Sequence, residues 1–397
     1  MKILFISNDP SLFVAESVSR ARMRAYAAVI GELHILSSAG KDAKEEQDGN
    51  LFLYPMRVWK IFRVHAFTKR ARVLILRYGI EVVSAQDPFE HGLVALRATR
   101  GTNAKLHIQV HTDFLSPWFT RGGNLRSPRV RMPLLNRYRR SVADRVLPAA
   151  SGIRTVSERV KASLVERYGN RIPEPTVIPI TVSAEVPERV PLPAHRFTFA
   201  LITVGRLEPE KRIEDILMAL SLVVKQYPMV GLFIVGEGRE RKWLERMTHS
   251  FDLEKHVIFL GERPDAWALM GSAQAFIQAS AYEGYGRTLI EAALVRVPII
   301  TTNVGIVGEV FKGHEDVLAV PVADPMALSR NIVRIIEDTS VRLELPMHAE
   351  AAARAHLLQQ DSRRGVGAVA DLPTRIGDDL ARVCAENNRS YEESTKP

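Results

Sequence analysis

The sequence predicts an α/β protein built from two doubly wound, parallel-sheet domains. Three observations predict it. Short apolar runs alternate with amphipathic stretches through the first 180 residues, the alternation repeats from residue 199 onward, and a proline-broken stretch separates the two at residues 183–195. With 397 residues and 46% hydrophobic content, the chain is too long for one ordinary core and too apolar to be disordered, so two cores are expected.

In the first half the candidate strands are residues 2–6, 33–36, 82–85, 106–110, 152–156 and 176–180, with helical pattern filling most of the gaps. Pro187, Pro191 and Pro193 then interrupt any regular element, because proline fixes its φ and offers no amide donor. This gives a first domain over residues 1–182 and a linker over 183–197. In the second half the candidate strands are residues 199–204, 231–235, 257–260, 275–278, 298–301 and 317–320. Between the first two of these, Ile213, Ile216, Leu217, Leu220, Val223 and Val224 recur at helical spacing, which predicts one buried helical stripe. The second domain is taken as residues 198–345. Residues 346–397 lose the strand rhythm and are Ala- and Arg-rich through 351–364; they predict helices and then a loose polar tail.

The net charge of +9 is unevenly spread. Residues 57–77, from Arg57 to Arg77, hold seven Lys or Arg and no acid, and residues 121–145, from Arg121 to Arg145, hold eight and one acid, Asp144, so the remainder of the chain is net acidic. In the first segment Trp59, Ile61, Phe62, Val64 and Phe67 interleave with Arg57, Lys60, Arg63, Lys69, Arg70 and Arg72; Pro117, Trp118 and Phe119 stand just ahead of the second. Two readings remain open: an anionic membrane surface as partner, or a solvated basic face whose apolar residues belong to the core. A phosphate-bearing acceptor would also suit the charge, whereas no reading helix is recognisable and no nucleic-acid partner is expected. No apolar run approaches the roughly 18 to 20 residues that cross a bilayer, and residues 1–6 are too short for a signal peptide. The expected location is cytoplasmic, peripheral on the inner membrane face if the patches meet lipid. The single Cys384 excludes an intrachain disulfide, and the eleven histidines show no metal-site spacing, so neither a cofactor nor a metal is expected.

Ligands of doubly wound sheets sit beyond the carboxyl ends of the strands, which directs attention to two loops. After residues 199–204 comes Gly205-Arg206-Leu207-Glu208-Pro209-Glu210-Lys211-Arg212, leading into the amphipathic helix. The glycine permits close backbone approach, and two cations at a helix N-terminus attract a diphosphate. A solvent-facing loop whose charges pair with Glu208 and Glu210 is the alternative. After residues 275–278 comes Glu283-Gly284-Tyr285-Gly286-Arg287-Thr288-Leu289-Ile290-Glu291. Its glycines let the backbone turn and expose amides to phosphate oxygens. Glu283 would accept hydrogen bonds from sugar hydroxyls, and Glu291, in or near the first helical turn and stabilised there as an anion, from a ribose diol. Helix stabilisation alone also accounts for Glu291.

Gly205-Arg206 with Lys211, Gly236-Glu237-Gly238, Gly261 with Arg263, the Glu283 to Glu291 spacing, Pro298-Ile299-Ile300-Thr301-Thr302 and the Gly305, Gly308-Glu309 turn follow one another in this order. The ordered set resembles the retaining GT-B glycosyltransferases of family 4 (glycosyl transferases group 1), most closely over residues 199–338. The resemblance implies two Rossmann-like domains facing each other across a cleft, and a nucleotide-diphosphate sugar donor. By it, Arg206 and Lys211 hold the diphosphate, Glu283 lies against the transferred sugar and Glu291 holds the ribose. Backbone around Gly236, Gly238 and Arg263 frames the base, while Tyr285, Gly286 and Arg287 present amides to the phosphates. His111, at the end of the run 106–110, is similar to a strand-end histidine that faces the donor sugar in that family; a satisfied structural histidine is the alternative. Where similar enzymes carry a Gly-Gly loop, this chain reads Ser7-Asn8-Asp9-Pro10. No Asp-x-Asp motif is present, so a metal-independent hexosyltransferase is implied, with a lipid-linked or saccharide acceptor in cell-envelope synthesis. A soluble-acceptor transferase, a nucleotide-sugar epimerase and a non-catalytic relative share the same fold and remain as alternatives.

Overall fold

The computed structural model describes residues 1–120, 131–362 and 371–394, so the part of the second basic segment at residues 121–130 lies outside the described residues. The chain forms two compact units, the first made of residues 1–115, 131–179 and the C-terminal segment from 366, the second of residues 116–130 and 180–365.

The strands are β1 (Lys2–Ser7), β2 (Glu32–Ser38), β3 (Glu46–Asp48), β4 (Leu51–Met56), β5 (Val82–Ala85), β6 (Lys105–Val110), β7 (Gly152–Thr155) and β8 (Thr176–Val177) in unit 1. Unit 2 holds β9 (Phe199–Val204), β10 (Val230–Val235), β11 (Val257–Gly261), β12 (Ala275–Gln278), β13 (Ile299–Thr302) and β14 (Leu318–Val320). The helices of the first half are α1 (Val18–Ile30), α2 (Arg63–Tyr78), α3 (Glu90–Thr99), α4 (Pro117–Thr120, which counts with unit 2), α5 (Arg131–Val146) and α6 (Glu158–Tyr168). Those of the second half are α7 (Ile213–Val223), α8 (Arg241–Ser250), α9 (Ala266–Met270), α10 (Arg287–Leu294), α11 (Pro325–Glu337), α12 (Thr339–Ser362) and α13 (Asp371–Ser394).

Unit 1 carries an eight-stranded sheet in the order β3-β4-β2-β1-β5-β6-β7-β8, parallel except for the β3-β4 hairpin. That hairpin and β4 were not expected from the sequence. Pro55 inside β4 cannot donate to a ladder, yet β4 pairs with β2 along its whole length, Pro55 standing opposite Ser37. Unit 2 carries six parallel strands in the order β11-β10-β9-β12-β13-β14. Counted within the unit this is 3-2-1-4-5-6, the doubly wound order that reverses between its first and fourth strands. The reversal falls between β9 and β12, so the loops after these two strands leave the sheet side by side.

Hydrophobic strands buried on both faces explain the continuous apolar runs. In unit 2, Leu201, Leu232, Ile234, Ile277 and Ile300 pack with Ile216, Leu217 and Leu220 of α7 and Leu328 and Ile332 of α11. In unit 1, Ile3, Phe5, Leu33 and Ile35 pack with Met23, Tyr26 and Ile30 of α1 and with Ile376 and Leu380 of α13. The C-terminal segment is therefore not simply an appendage after the second domain: α13 completes the core of unit 1, and its contact is built from aliphatic rather than aromatic side chains. Helix ends follow local rules. The side-chain oxygens of Ser17 and Asp324 accept from the amides of Arg20 and Ala327 at 3.1 and 2.8 Å, each satisfying one otherwise orphaned donor.

Candidate functional site

The loop after β9 and the loop after β12 meet in unit 2. Lys211 closes an ion pair with Glu283, and Ser280, two residues past β12, donates from Oγ to the same carboxylate at 2.7 Å. Arg206, Lys211 and Gly205 line one pocket together with Thr203, Gln278 and Ser280. The ion pair is partly shielded, its two side chains being 22% and 14% exposed, whereas the Arg206 side chain is 74% exposed and among the described residues reaches only Glu210, at 3.4 Å. The structure thus brings Arg206, Lys211 and Glu283 to one place and leaves Arg206 oriented by solvent. Of the alternative pairing with Glu208 and Glu210, only the long Arg206 contact forms; Glu208 is taken by Arg239.

The backbone of this corner is tightly fitted. Gly205 N–H donates to Val235 O at 3.0 Å, Gly236 N–H to Gly261 O at 2.7 Å, and Leu207 N–H to Glu237 O at 2.9 Å. The loops after β9 and β10 therefore stay hydrogen-bonded to each other and to the end of β11. A Cβ at Gly236, where φ is +132°, would stand 2.0 Å from Gly205 O, and one at Gly238 would stand 2.4 Å from Leu207 O. Glycine at 236 and 238 is required by loop-on-loop packing within the protein, independently of any ligand. Arg263, on the loop after β11, is exposed and forks onto Asp265 at 2.6 and 2.7 Å.

The loop from Glu283 runs into α10, which starts at Arg287 behind Gly286 in the left-handed region, φ +96°. Leu289 N–H in the first turn bonds back to Gly286 O at 2.9 Å, while the amides ahead of it lie where a helix offers no i−4 carbonyl. Tyr285 points its side chain inward: it is 2% exposed, and its hydroxyl meets His356 Nε2 at 2.9 Å and accepts from Gln360 at 3.1 Å, both on α12. Its contribution to a ligand site is thus confined to its backbone. Glu291 corrects an expectation. It stands near the first turn, as the fifth residue of α10, but it is buried, with Arg287 Nε donating to it at 2.5 Å. Burial pushes its carboxyl pKa upward and outweighs the Arg287 charge, so the environment disfavours the anion instead of stabilising it.

His111 follows β6 in unit 1. Its Nε2 lies 3.1 Å from Gln109 Oε1, and burial followed by the Arg154 charge pushes its pKa down to about 3, so the ring is neutral at physiological pH.

Sequence reasoning missed several supporting residues. Ser280 and Gln278 carry no signal beyond their place after a strand. Arg212 sits in the left-handed region at φ +47°, is buried, and forks onto Asp215 at 2.7 and 2.9 Å with its guanidinium 5.6 Å from the Trp118 ring centre. Phe119 is buried with its ring 5.4 Å from that of Tyr282. Trp118 and Phe119 therefore pack within unit 2, while Leu134, Leu135 and Tyr138 of the second basic segment are exposed. In the first patch Trp59, Ile61 and Phe62 are exposed, while Phe67 is buried. No helix among the described residues is long and apolar enough to cross a membrane, and no group of three or more metal-ligating side chains occurs among them.

Two doubly wound units, with a cationic strand-end loop at the reversal point of the second, are the architecture of GT-B glycosyltransferases. Solved structures with this fold include sucrose-phosphate synthase from Thermosynechococcus elongatus, with a TM-score of 0.76 at 18% identity over 97% of this chain and 100% of that one. Anabaena Alr3699/HepE in complex with UDP gives a TM-score of 0.66 at 18% identity over 96% and 100%. The glycogen synthase of Mycobacterium tuberculosis is 29% identical over 227 residues, 56% of this chain; the match spans about half, 52%, of that relative. The model of Glycosyltransferase Family 4 matches residues 16–186 and that of Glycosyl transferases group 1 matches residues 194–356. The chain belongs to this family of glycosyltransferases.

Proposed function

We propose that the chain is a retaining, metal-independent hexosyltransferase that moves a sugar from a nucleotide-diphosphate donor to a membrane-associated or lipid-linked acceptor in cell-envelope polysaccharide or glycolipid synthesis. The observation that carries this reading is the pocket at the reversal point of the unit 2 sheet, which Arg206, Lys211 and Ser280 line and beside which Glu283 is held by Lys211 and Ser280. In the reaction the bond between the anomeric carbon and the diphosphate oxygen breaks, the acceptor oxygen bonds that carbon, and the acceptor proton leaves on the departing diphosphate. Negative charge grows on the diphosphate as the bond opens. Arg206, Lys211 and the first-turn amides of α10 stabilise it without reorganising. Lys211 is held ready by Glu283, whose second oxygen remains for a sugar hydroxyl, and Glu291 receives the ribose diol. The complex of a fold relative with UDP supports a nucleotide donor.

The acceptor side rests on Trp59, Ile61 and Phe62, exposed on the 3₁₀ turn ahead of α2 beside Arg57, Lys60 and Arg63, a mixture suited to the interface of an anionic bilayer. A small neutral acceptor needs no such surface. The test is release of nucleoside diphosphate from a panel of UDP-, GDP- and ADP-sugars, with and without lipid extract and with EDTA present. Lipid-stimulated release that survives EDTA is expected. Absence of both thermal stabilisation and release across the panel would overturn the reading.

A further inference from the structure

Unit 1 contains a buried polar line that the proposed reaction does not use directly. Arg154, on β7 and 3% exposed, has no carboxylate on its guanidinium among the described residues: Nε and Nη2 donate to Ile178 O at 3.2 and 3.0 Å, and Nη1 donates to Gln109 Oε1 at 2.8 Å. Burial lowers its pKa to about 10, so it stays charged at physiological pH. Gln109 continues the line. Its Nε2 donates to Ser84 Oγ at 3.0 Å, and Ser84 Oγ lies 2.8 Å from His107 Nδ1. His107 Nε2 lies 3.0 Å from Asp379 Oδ2 on α13.

The direction of the bonds around Gln109 follows from Arg154. A guanidinium only donates, so the Gln109 atom facing Arg154 is the oxygen. The same oxygen faces His111 Nε2, which must then carry the proton. At the far end the Asp379 carboxylate only accepts: burial opposes its charge, but the hydrogen bond from His107 holds its pKa below the usual carboxylate value. His107 therefore carries a proton on Nε2, and Ser84 Oγ accepts from Gln109 Nε2. The orientation of the Gln109 amide is thus set from the Arg154 end.

We propose that Arg154 is a positioning residue that, through Gln109, locks His111 in the Nε2–H tautomer and leaves the Nδ1 lone pair as the face offered to a ligand. That face accepts hydrogen bonds and cannot donate one. Taken with the reading in which His111 meets the transferred sugar, on which this last step rests, it selects a sugar that presents a hydroxyl there and rejects one that presents a carboxylate.

The lock is tested on the free, full-length protein labelled with ¹⁵N-histidine, with His111→Asn used to assign the His111 signals. The expected spectrum shows His111 with a bare Nδ1 and a protonated Nε2. Arg154→Met, which removes the donor, and Gln109→Leu, which removes the shared acceptor, are each expected to give a mixture of tautomers; Arg154→Lys, still donor-only, is expected to restore the parent pattern. Thermal melts identify any variant that fails to fold, and two independent variants keep the test open. Protonated Nδ1 in the parent, or an unchanged tautomer in both Arg154→Met and Gln109→Leu, overturns the lock. Turnover is expected to fall on the order of tenfold in kcat/KM for Arg154→Met and recover in Arg154→Lys. Titration with UDP-glucose and GDP-mannose separates the two layers. A locked tautomer whose Nδ1 signal moves with neither sugar nucleotide, in a protein that still releases nucleoside diphosphate, sinks the sugar contact and leaves both the lock and the transferase reading standing.

Discussion

Lys211→Met separates what the ion pair does for stability from what it does for chemistry. A hydrogen bond to a charged group contributes about 1.5–3 kcal/mol net. The pair here is partly wet, at 22% and 14% exposure, and Glu283 keeps the Ser280 hydroxyl at 2.7 Å, so solvent screening takes the value to the bottom of that range and somewhat below it, about 1–2 kcal/mol. For a unit of this size each kcal/mol moves the unfolding midpoint by about 2–4 °C, which gives a loss of about 2–8 °C. Glu283→Gln leaves Lys211 without its anion and is expected to cost a similar amount. The double variant removes both charges and should be clearly less destabilised than the sum, because no unpaired charge is left behind. Activity is expected to behave differently: each variant loses a group aimed at the donor, at a cost on the order of 10²–10³ in rate, and the double variant recovers none of it. Calorimetric unfolding without donor gives the first quantity, and nucleoside diphosphate release gives the second. A coupling below about 0.3 kcal/mol in the cycle, or near-parental turnover in any of the three variants, would refute the reasoning.

Three further expectations follow from the same geometry. Gly236→Ala places a Cβ 2.0 Å from Gly205 O at a φ of +132° and should cost at least about 2–3 kcal/mol in urea unfolding, with donor binding lost in the fraction that still folds. Burial raises the Glu291 pKa in the folded state, so its stabilising contribution is present below the ordinary glutamate value and lost as pH rises through the raised one. Glu291→Gln should therefore melt higher than the parent at pH 8 and level with it at pH 4, while donor affinity falls. Trp59→Ser, Ile61→Ser and Phe62→Ser combined should lower sedimentation with phosphatidylglycerol vesicles on the order of tenfold without changing the melting temperature, since all three side chains are exposed.

The second unit was more legible in the sequence than the first because its strands are apolar on both faces and its loops hold their chemistry within a few residues of each strand end. Arg206, Lys211 and Glu283 could be placed on neighbouring loops before any coordinates, since a doubly wound sheet reverses between its first and fourth strands. Glu291 was harder: its burial depends on where α10 starts, and sequence spacing does not fix a helix start to within a residue or two. Tyr285 was expected to offer only its backbone amide, and nothing local reveals that α12 covers its side chain. The glycines at 236 and 238 are visible as glycines, but the backbone they admit belongs to another loop. In the first unit β4 was hidden by Pro55, and Arg154 was read as an ordinary strand residue. A buried guanidinium held by one carbonyl and one amide leaves no pattern in the chain, because its partners Gln109 and Ile178 come from elsewhere in the sequence.

The placement of α13 has a consequence for how the molecule is made. The side chains of Ile376 and Leu380 belong to the same core as Ile3, Met23 and Tyr26, yet about 190 residues separate Ile180 from Asp371. At roughly 5–20 residues per second of synthesis, the N-terminal unit waits about 10–40 s on the ribosome with one wall of its interior missing. During that interval the second unit can fold whole. The first to emerge is the last to be finished, and the nascent chain carries an uncovered apolar trough that chaperones would be expected to occupy.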